Sequence, residues 1–225
     1  MQIACVLFPN FTQLDLTGPY EVFQRLPDTT VHLIAASSEP VESEGGLAIV
    51  PTMQFGEVPF CDVLFVPGGP GVNEAMLDDA TIAFIEQQGL RARWVTSACT
   101  GSLLLGAAGL LAGFEAATHW ASREFLQAFG AWPKTERIVI SGNRITGGGV
   151  TAGIDIALCI AQQTHGQRVA EEIQLAIEYN PQPPFNAGSP ETAPPEVVEA
   201  VSRRLGKMKE QRRRAVEEAA RRLSS

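Results

Sequence analysis

The chain has 225 residues, of which 45% are hydrophobic and 19% charged, so it can bury one sizeable core. Its formal net charge of -8 argues against a general affinity for nucleic acid, because binding to phosphates requires a basic surface. The N-terminus has no basic segment before its apolar run ends at Pro9, and no stretch approaches the roughly 20 apolar residues that a bilayer requires. We therefore expect one folded domain in the cytoplasm, neither exported nor inserted in a membrane.

Short apolar runs alternate with helical patterns along the first half of the chain. Continuous hydrophobicity within the runs indicates strands that are buried on both faces, which is typical of a parallel sheet covered by helices. The sequence therefore predicts an α/β sandwich with a mostly parallel central sheet. The predicted strands are 3–8, 31–36, 63–67 and 94–98, and the predicted helices are 18–26, 81–90 and 102–112, the last ended by Gly113.

The second half of the chain contains hairpin, helix and proline patterns. Hairpins are predicted at 47–53 and at 137–146, and helices at 151–163 and 167–178. Residues 179–190 contain prolines that exclude helix and central strand, so they form either an interdomain linker or, as we prefer, an ordered strap.

The region after the strap is predicted to be a C-terminal helix. We expect residues 1–190 to form the α/β domain, and 191–225 a helix that packs on this domain or on a partner subunit. Between 196 and 225, nine Lys or Arg residues interleave with five Glu residues at helical spacing, which indicates a solvated face with i, i+4 ion pairs.

Cys99 lies where a predicted strand meets a predicted helix. Ala98, Gly101 and Ser102 are small and allow a tight turn, as in a nucleophile elbow. The cysteine would then project from the carboxyl end of the sheet beside free N–H groups of the helix start. These groups favour the thiolate and predict a lowered pKa for Cys99.

The other three cysteines are interpreted as inert thiols. Cys5 lies in the first strand, Cys61 just before a strand and Cys159 on the apolar face of a helix. The four cysteines form neither a Cys-x-x-Cys pair nor a dense secreted pattern, so reduced thiols are expected. No cluster of His, Cys and carboxylates has metal-ligand spacing and no phosphate-binding glycine motif is present, so neither metal nor cofactor is expected.

Four further positions could assist Cys99. Gly69, in the glycine-rich turn after the strand 63–67, offers a backbone N–H at the same sheet edge. Asp15 lies in a loop that opens a helix, where it is either a solvent-facing cap or a proton carrier.

His119 is predicted to end a strand near the site, where it either orients the cysteine or is a satisfied core histidine. The glycines at 147–149 predict that the backbone near Val150 shifts when Cys99 loses its charge.

Several motifs, taken in order, resemble the ThiJ/PfpI superfamily, relatives of class I glutamine amidotransferases. They are LDLTGP, VPGGPG, TSACTGSLLLGAAGLL, ATHW, TGGGVTAGIDIAL and YNPQPPFNAGSP, and together they cover almost the whole chain. The resemblance implies a flavodoxin-like sandwich, a homodimer, Cys99 as nucleophile and Asp15 as its acid-base partner. Within the superfamily, the similarity is to members that hydrate organic isocyanides to N-substituted formamides.

The resemblance also indicates how this chain departs from other members. Peptidase-like members carry a histidine directly after the cysteine, where this chain has Thr100, so proteolysis is not expected. Aldehyde-converting members use a glutamate where this chain has the shorter Asp15. Related transcription regulators add a helix-turn-helix domain, for which the residues after the strap are expected to leave no room.

The implied reaction begins with attack of Cys99 on the terminal carbon of a small isocyanide, giving a thioimidate. Asp15 would protonate the substrate and later deprotonate the attacking water, while the N–H groups of Gly69 and Thr100 hold the developing negative charge. The Thr100 hydroxyl could add a hydrogen bond. Two alternatives stay open: glyoxalase- or deglycase-type hydration of aldehydes, and a non-enzymatic module that senses oxidation at Cys99 or binds a ligand.

Overall fold

The computed structural model describes residues 1–58 and 60–224, and its centre is a sheet of seven strands between helices. The strands are β1 (Gln2–Val6), β2 (Thr30–Ala35), β3 (Val41–Glu42), β4 (Ala48–Ile49), β5 (Met53–Gln54), β6 (Val63–Val66), β7 (Trp94–Ser97), β8 (Glu115–Ala116), β9 (Trp132–Pro133), β10 (Ile138–Ser141) and β11 (Arg144–Gly147). The helices are α1 (Gln13–Phe23), α2 (Val72–Ala75), α3 (Asp79–Gly89), α4 (Gly101–Ala107), α5 (Ala152–His165), α6 (Gln167–Ala176) and α7 (Pro195–Leu223), with 3-10 helices at Phe55–Glu57 and Trp120–Phe129.

The central sheet has the strand order β10-β11-β7-β6-β1-β2-β5. Its pairs are parallel except for the hairpin of β10 and β11. Strand β6 is buried at every position, as its continuous apolar sequence requires in the middle of a covered sheet. The predicted flavodoxin-like sandwich with a mostly parallel sheet is confirmed.

The helices form two groups. On one side α1 packs against α5 and α5 against α6, while on the other α4 contacts α2, α3, α7 and the longer 3-10 helix. The chain therefore passes from one group to the other between α6 and α7, through the predicted strap. As predicted, the strap contains neither helix nor strand, and most of its residues are exposed. None of the helices in the described part of the chain combines the length and apolarity that crossing a membrane requires.

Several predicted elements have different bounds in the structure. Helix α1 begins at Gln13, so Asp15 lies in its first turn and not in a loop. Helix α4 ends at Ala107, because Gly109 adopts a left-handed φ of 72°. Of the predicted C-terminal helix 191–225, the helical part begins at Pro195, and Ser225 lies outside the described residues.

The predicted hairpin at 47–53 is wrong in its pairing. Strand β4 pairs with β3, which precedes it, and the turn between them contains Gly46 with a φ of 82°. Strand β5 instead extends the central sheet beside β2. Strands of two residues carry too little hydrophobic pattern to show their partners, whereas the hairpin predicted at 137–146 is confirmed as β10 and β11.

Candidate active site

The site forms at the carboxyl ends of four neighbouring strands. Strands β1, β6, β7 and β11 are adjacent and parallel, so the segments that follow them emerge at one edge of the sheet. These segments carry Asp15, Gly69, Cys99 and Val150 respectively. The topology therefore brings together residues that are far apart in sequence.

Cys99 occupies a strained turn between β7 and α4. Its φ is 53°, in the left-handed region that a residue with a side chain rarely adopts. Two hydroxyls hold the turn, since the Cys99 carbonyl accepts from Thr118 Oγ1 at 3.0 Å and from Ser102 Oγ at 3.4 Å. Gly101 is required here, because a Cβ at this position would lie 2.2 Å from the Val66 carbonyl oxygen. The predicted nucleophile elbow is therefore present in the structure.

Asp15 is fully buried beside Cys99. Its Oδ2 accepts a hydrogen bond from the Gly68 N–H at 2.9 Å. Its Oδ1 is buried without a hydrogen-bond partner among the described residues, and the Cys99 thiol is the neighbouring side chain that acts on the carboxyl group. Burial raises the pKa of Asp15 to about 7, although the Gly68 N–H and the thiol both oppose the shift. Asp15 is therefore suited to carry a proton in the site and is not a solvent-facing cap.

The protonation of Cys99 differs from the sequence-based prediction. Burial raises the pKa of the Cys99 thiol, and the Asp15 carboxylate raises it further, while the Thr100 N–H and Arg212 lower it. The expected lowering by the helix start is thus outweighed by the loss of water around the sulfur. Cys99 is a thiol next to a carboxyl group that can accept its proton.

Gly69 and Thr100 are held to each other. The Gly69 N–H donates to Thr100 Oγ1 at 3.0 Å, and this hydroxyl donates to the Gly69 carbonyl at 3.2 Å. The sequence predicts that the Gly69 N–H faces the substrate, whereas in the structure it is already engaged. The Thr100 N–H faces the sulfur of Cys99, and Thr100 lines the same cavity as Cys99.

His119 and Val150 also reach the cavity, which has a volume of about 230 Å³. His119 does not end a strand, because β8 stops at Ala116 and His119 caps the following 3-10 helix through Nδ1, which accepts from the Ala121 N–H at 3.3 Å. Burial, with Arg212 and Arg123, lowers the pKa of His119 to about 4. A neutral imidazole of this pKa is a poor general base at neutral pH.

A larger cavity of about 580 Å³ around Pro9 contains none of the predicted site residues.

The C-terminal helix α7 contributes residues that the sequence analysis missed. Leu205, Met208 and Arg212 line the cavity of Cys99 from one face of this helix. Ala215, Val216 and Ala219 continue the face into the core. The sequence indicates this buried face through an i, i+3, i+7, i+10 spacing that begins at Leu205. The many charged residues around the face favoured the interpretation as a solvated helix instead. Arg212 is 3% exposed, which contradicts the predicted solvated role for this position.

The other three cysteines lie away from this cavity. Burial raises the pKa of Cys61 to about 12 and also raises the pKa of Cys5 and Cys159. Within residues 1–58 and 60–224, no three His, Cys, Asp or Glu side chains converge as metal ligands would.

Comparison with known proteins places this chain in a family. The model of the DJ-1/PfpI family matches residues 1–163. The chain belongs to the DJ-1/PfpI family. The resemblance drawn from the motifs is thereby confirmed, and α7 lies outside the residues that the family model matches.

Individual proteins differ in how far they resemble this chain. Isonitrile hydratase of Pseudomonas putida is 50% identical over 224 residues, which cover 100% of this chain and 98% of that protein. The crystal structure of a THiJ/PfpI family protein from Pseudomonas syringae has a TM-score of 0.93 at 45% identity, covering 96% of this chain and 90% of that one. The HTH-type transcriptional regulator GbdR of Pseudomonas aeruginosa is 28% identical over 79% of this chain and 50% of the regulator.

Proposed function

We propose that this DJ-1/PfpI protein hydrates organic isocyanides to N-substituted formamides, with Cys99 as nucleophile and Asp15 as acid-base partner. The observation that carries the proposal is that Cys99, which lines a small cavity, is paired with the fully buried carboxyl group of Asp15. The full-length similarity to the Pseudomonas putida isonitrile hydratase supports the substrate class.

The first half of the reaction adds the Cys99 S–H across the terminal carbon of the isocyanide. Asp15 takes the thiol proton, the sulfur forms a bond to the carbon, and Asp15 gives the proton to that same carbon. The product is a thioimidate, R–N=CH–S–Cys99, in which the nitrogen carries no additional proton. A carboxyl group with a pKa near 7 can both accept and return a proton at neutral pH, which this step requires.

The second half consumes one water molecule. Asp15 removes a proton from the water as its oxygen attacks the thioimidate carbon, and this proton is delivered to the nitrogen. The resulting R–NH–CH(OH)–S–Cys99 collapses to the formamide when the C–S bond breaks and the hydroxyl proton returns to the sulfur through Asp15. The Thr100 N–H stabilises negative charge near the sulfur in this scheme, while the hydrogen bonds between the Thr100 hydroxyl and Gly69 hold that turn in place.

The test is to incubate the purified protein with cyclohexyl isocyanide and measure N-cyclohexylformamide by mass spectrometry. We expect turnover by the wild type, loss of turnover in Cys99→Ala, and a large decrease in Asp15→Asn. Cys159→Ala serves as the matched control, because this thiol lies outside the cavity. Undiminished formamide production by Cys99→Ala would overturn the mechanism. Methylglyoxal in the same panel tests the aldehyde alternative, which would be favoured if it alone were converted.

We also propose that the working unit is a cytoplasmic homodimer, as the family resemblance implies. Support for an interface comes from large apolar side chains at the surface, among them Leu47 at 51% and Val50 at 63% exposure. Support for a reducing compartment comes from the four free thiols. Sedimentation equilibrium should give twice the chain mass, and a single-chain mass at micromolar concentration would contradict the dimer.

A further inference from the structure

Arg212 is a buried cation that joins three elements of the fold around the site. Its Nε donates to Asn73 Oδ1 at 2.9 Å, its Nη1 to Ser122 Oγ at 3.0 Å and its Nη2 to the Gly69 carbonyl at 3.2 Å. These partners belong to α2, to the longer 3-10 helix and to the glycine-rich turn. One side chain from α7 therefore joins three elements, and one of them is the turn that faces Cys99.

The charge of Arg212 has no carboxylate at ion-pair distance in the described part of the chain. Other arginines of α7, such as Arg203 and Arg214, form ion pairs with glutamates one helical turn away. Arg212 is the buried arginine of this helix, and its hydrogen bonds go to an amide oxygen, a hydroxyl and a carbonyl. A buried guanidinium without a paired counter-ion is unfavourable, and an anion close to Arg212 would offset this cost.

The cavity of Cys99 supplies the place for that anion, because Arg212 and Cys99 both line it. We propose that Arg212 is a positioning residue of the Cys99 site: its charge stabilises the anionic form of the sulfur, and its hydrogen bond fixes the Gly69 carbonyl. The same carbonyl accepts from the Thr100 hydroxyl, so Arg212 also helps to orient Thr100. The electrostatic effect has the sign that the proposal requires, since Arg212 lowers the pKa of Cys99 against the effect of burial.

Other charged or titratable groups also face this pair and set the background for any pH measurement. Asp15 from α1 and the sulfur act on each other, Glu44 acts on Asp15, and Glu74 from α2 acts on Arg212. Arg212 and Arg123 both lower the pKa of His119, after burial. Glu44 raises the pKa of Asp15 and Asp15 raises the pKa of Cys99, so Arg212 is the cation that opposes these anions at the sulfur.

The experiment measures how fast iodoacetamide alkylates Cys99 as a function of pH, with the modified peptide identified by mass spectrometry. The variants are Arg212→Met, which removes the charge at similar length, and Arg212→Lys, which keeps it. Arg214→Met is the matched control, because this arginine is exposed on the same helix. The midpoint is the pH at which the alkylation rate is half of its maximum. We expect Arg212→Met to raise this midpoint by about one pH unit, so that alkylation below the midpoint is tenfold slower. Arg214→Met should leave the midpoint unchanged.

Arg212→Lys separates charge from packing and decides the outcome if Arg212→Met does not fold. A midpoint within about half a pH unit of the wild type supports the proposal, because the charge is retained while the three-way hydrogen bonding is lost. A midpoint in Arg212→Lys that is raised by a full unit, or an unshifted midpoint in folded Arg212→Met, would overturn it. The inference rests on Cys99 as the nucleophile of the proposed function. Alkylation needs no isocyanide, however, so failure of hydration and failure of this proposal are distinguishable.

Discussion

Replacing Asp15 by asparagine should remove a pH dependence from the stability of the fold. The folded protein holds the Asp15 proton more tightly than the unfolded chain, because burial raises the pKa from 3.8 to about 7. A raised carboxyl pKa gives stability that is fully present below the unfolded pKa and is lost as the pH rises through the folded pKa. The amide of the Asp15→Asn variant would imitate the protonated acid, since its side-chain oxygen can still accept from the Gly68 N–H.

The size of the effect follows from the distance between the two pKa values. A difference of about three pH units, at about 1.4 kcal/mol each, corresponds to about 4 kcal/mol over the full range. Between pH 5 and pH 8, the wild type should lose about 2.5 kcal/mol of this stabilisation. In Asp15→Asn, the contribution of residue 15 should not change with pH. The free energy of unfolding of Asp15→Asn relative to the wild type should therefore rise by that amount.

Urea unfolding at the two pH values, at one fixed protein concentration, measures the difference. Glu39→Gln controls for the loss of one exposed carboxylate and should behave like the wild type. If the stability difference between Asp15→Asn and the wild type changed by less than about 1 kcal/mol between pH 5 and pH 8, the raised pKa of Asp15 would be refuted.

Two further predictions concern the elbow and α7. Gly101→Ala should lower the free energy of unfolding by about 1 to 3 kcal/mol, because the added Cβ would meet the Val66 carbonyl, whereas Gly206→Ala should stabilise α7 by about 1 kcal/mol since nothing lies within 4 Å of its Cβ. Equal effects of the two substitutions in thermal unfolding would contradict this reasoning. Leu205→Ala and Met208→Ala should raise kcat/KM for bulky aryl isocyanides relative to methyl isocyanide by enlarging the cavity. An unchanged ratio would show that α7 does not contact the substrate.

The parallel strands, the elbow at Cys99 and the glycine-rich turn could be predicted because each has a local cause. A continuous apolar run marks a covered strand, and small residues directly after it permit a tight turn. The carboxyl ends of parallel strands then meet at one edge, so the sequence already places Cys99 and Gly69 together, and the family resemblance adds Asp15.

The chemical state of the site depends on contacts that no local pattern contains. The helix start argues for a thiolate at Cys99, but burial and Asp15 raise its pKa. The N–H of Gly69 is free in the sequence-based prediction, but the Thr100 hydroxyl occupies it. Arg212 is predicted to lie on a solvated face, but it reaches the glycine-rich turn.

The sequence by itself determined the α/β architecture and the tight turn that carries Cys99, because backbone preferences and hydrophobic patterns act between near neighbours. Only the tertiary structure decided which charges face Cys99, which hydrogen-bond donors are already used, and that α7 forms one wall of the cavity. Desolvation and hydrogen-bond partners depend on everything that packs around a group, and most of those neighbours are distant in the chain.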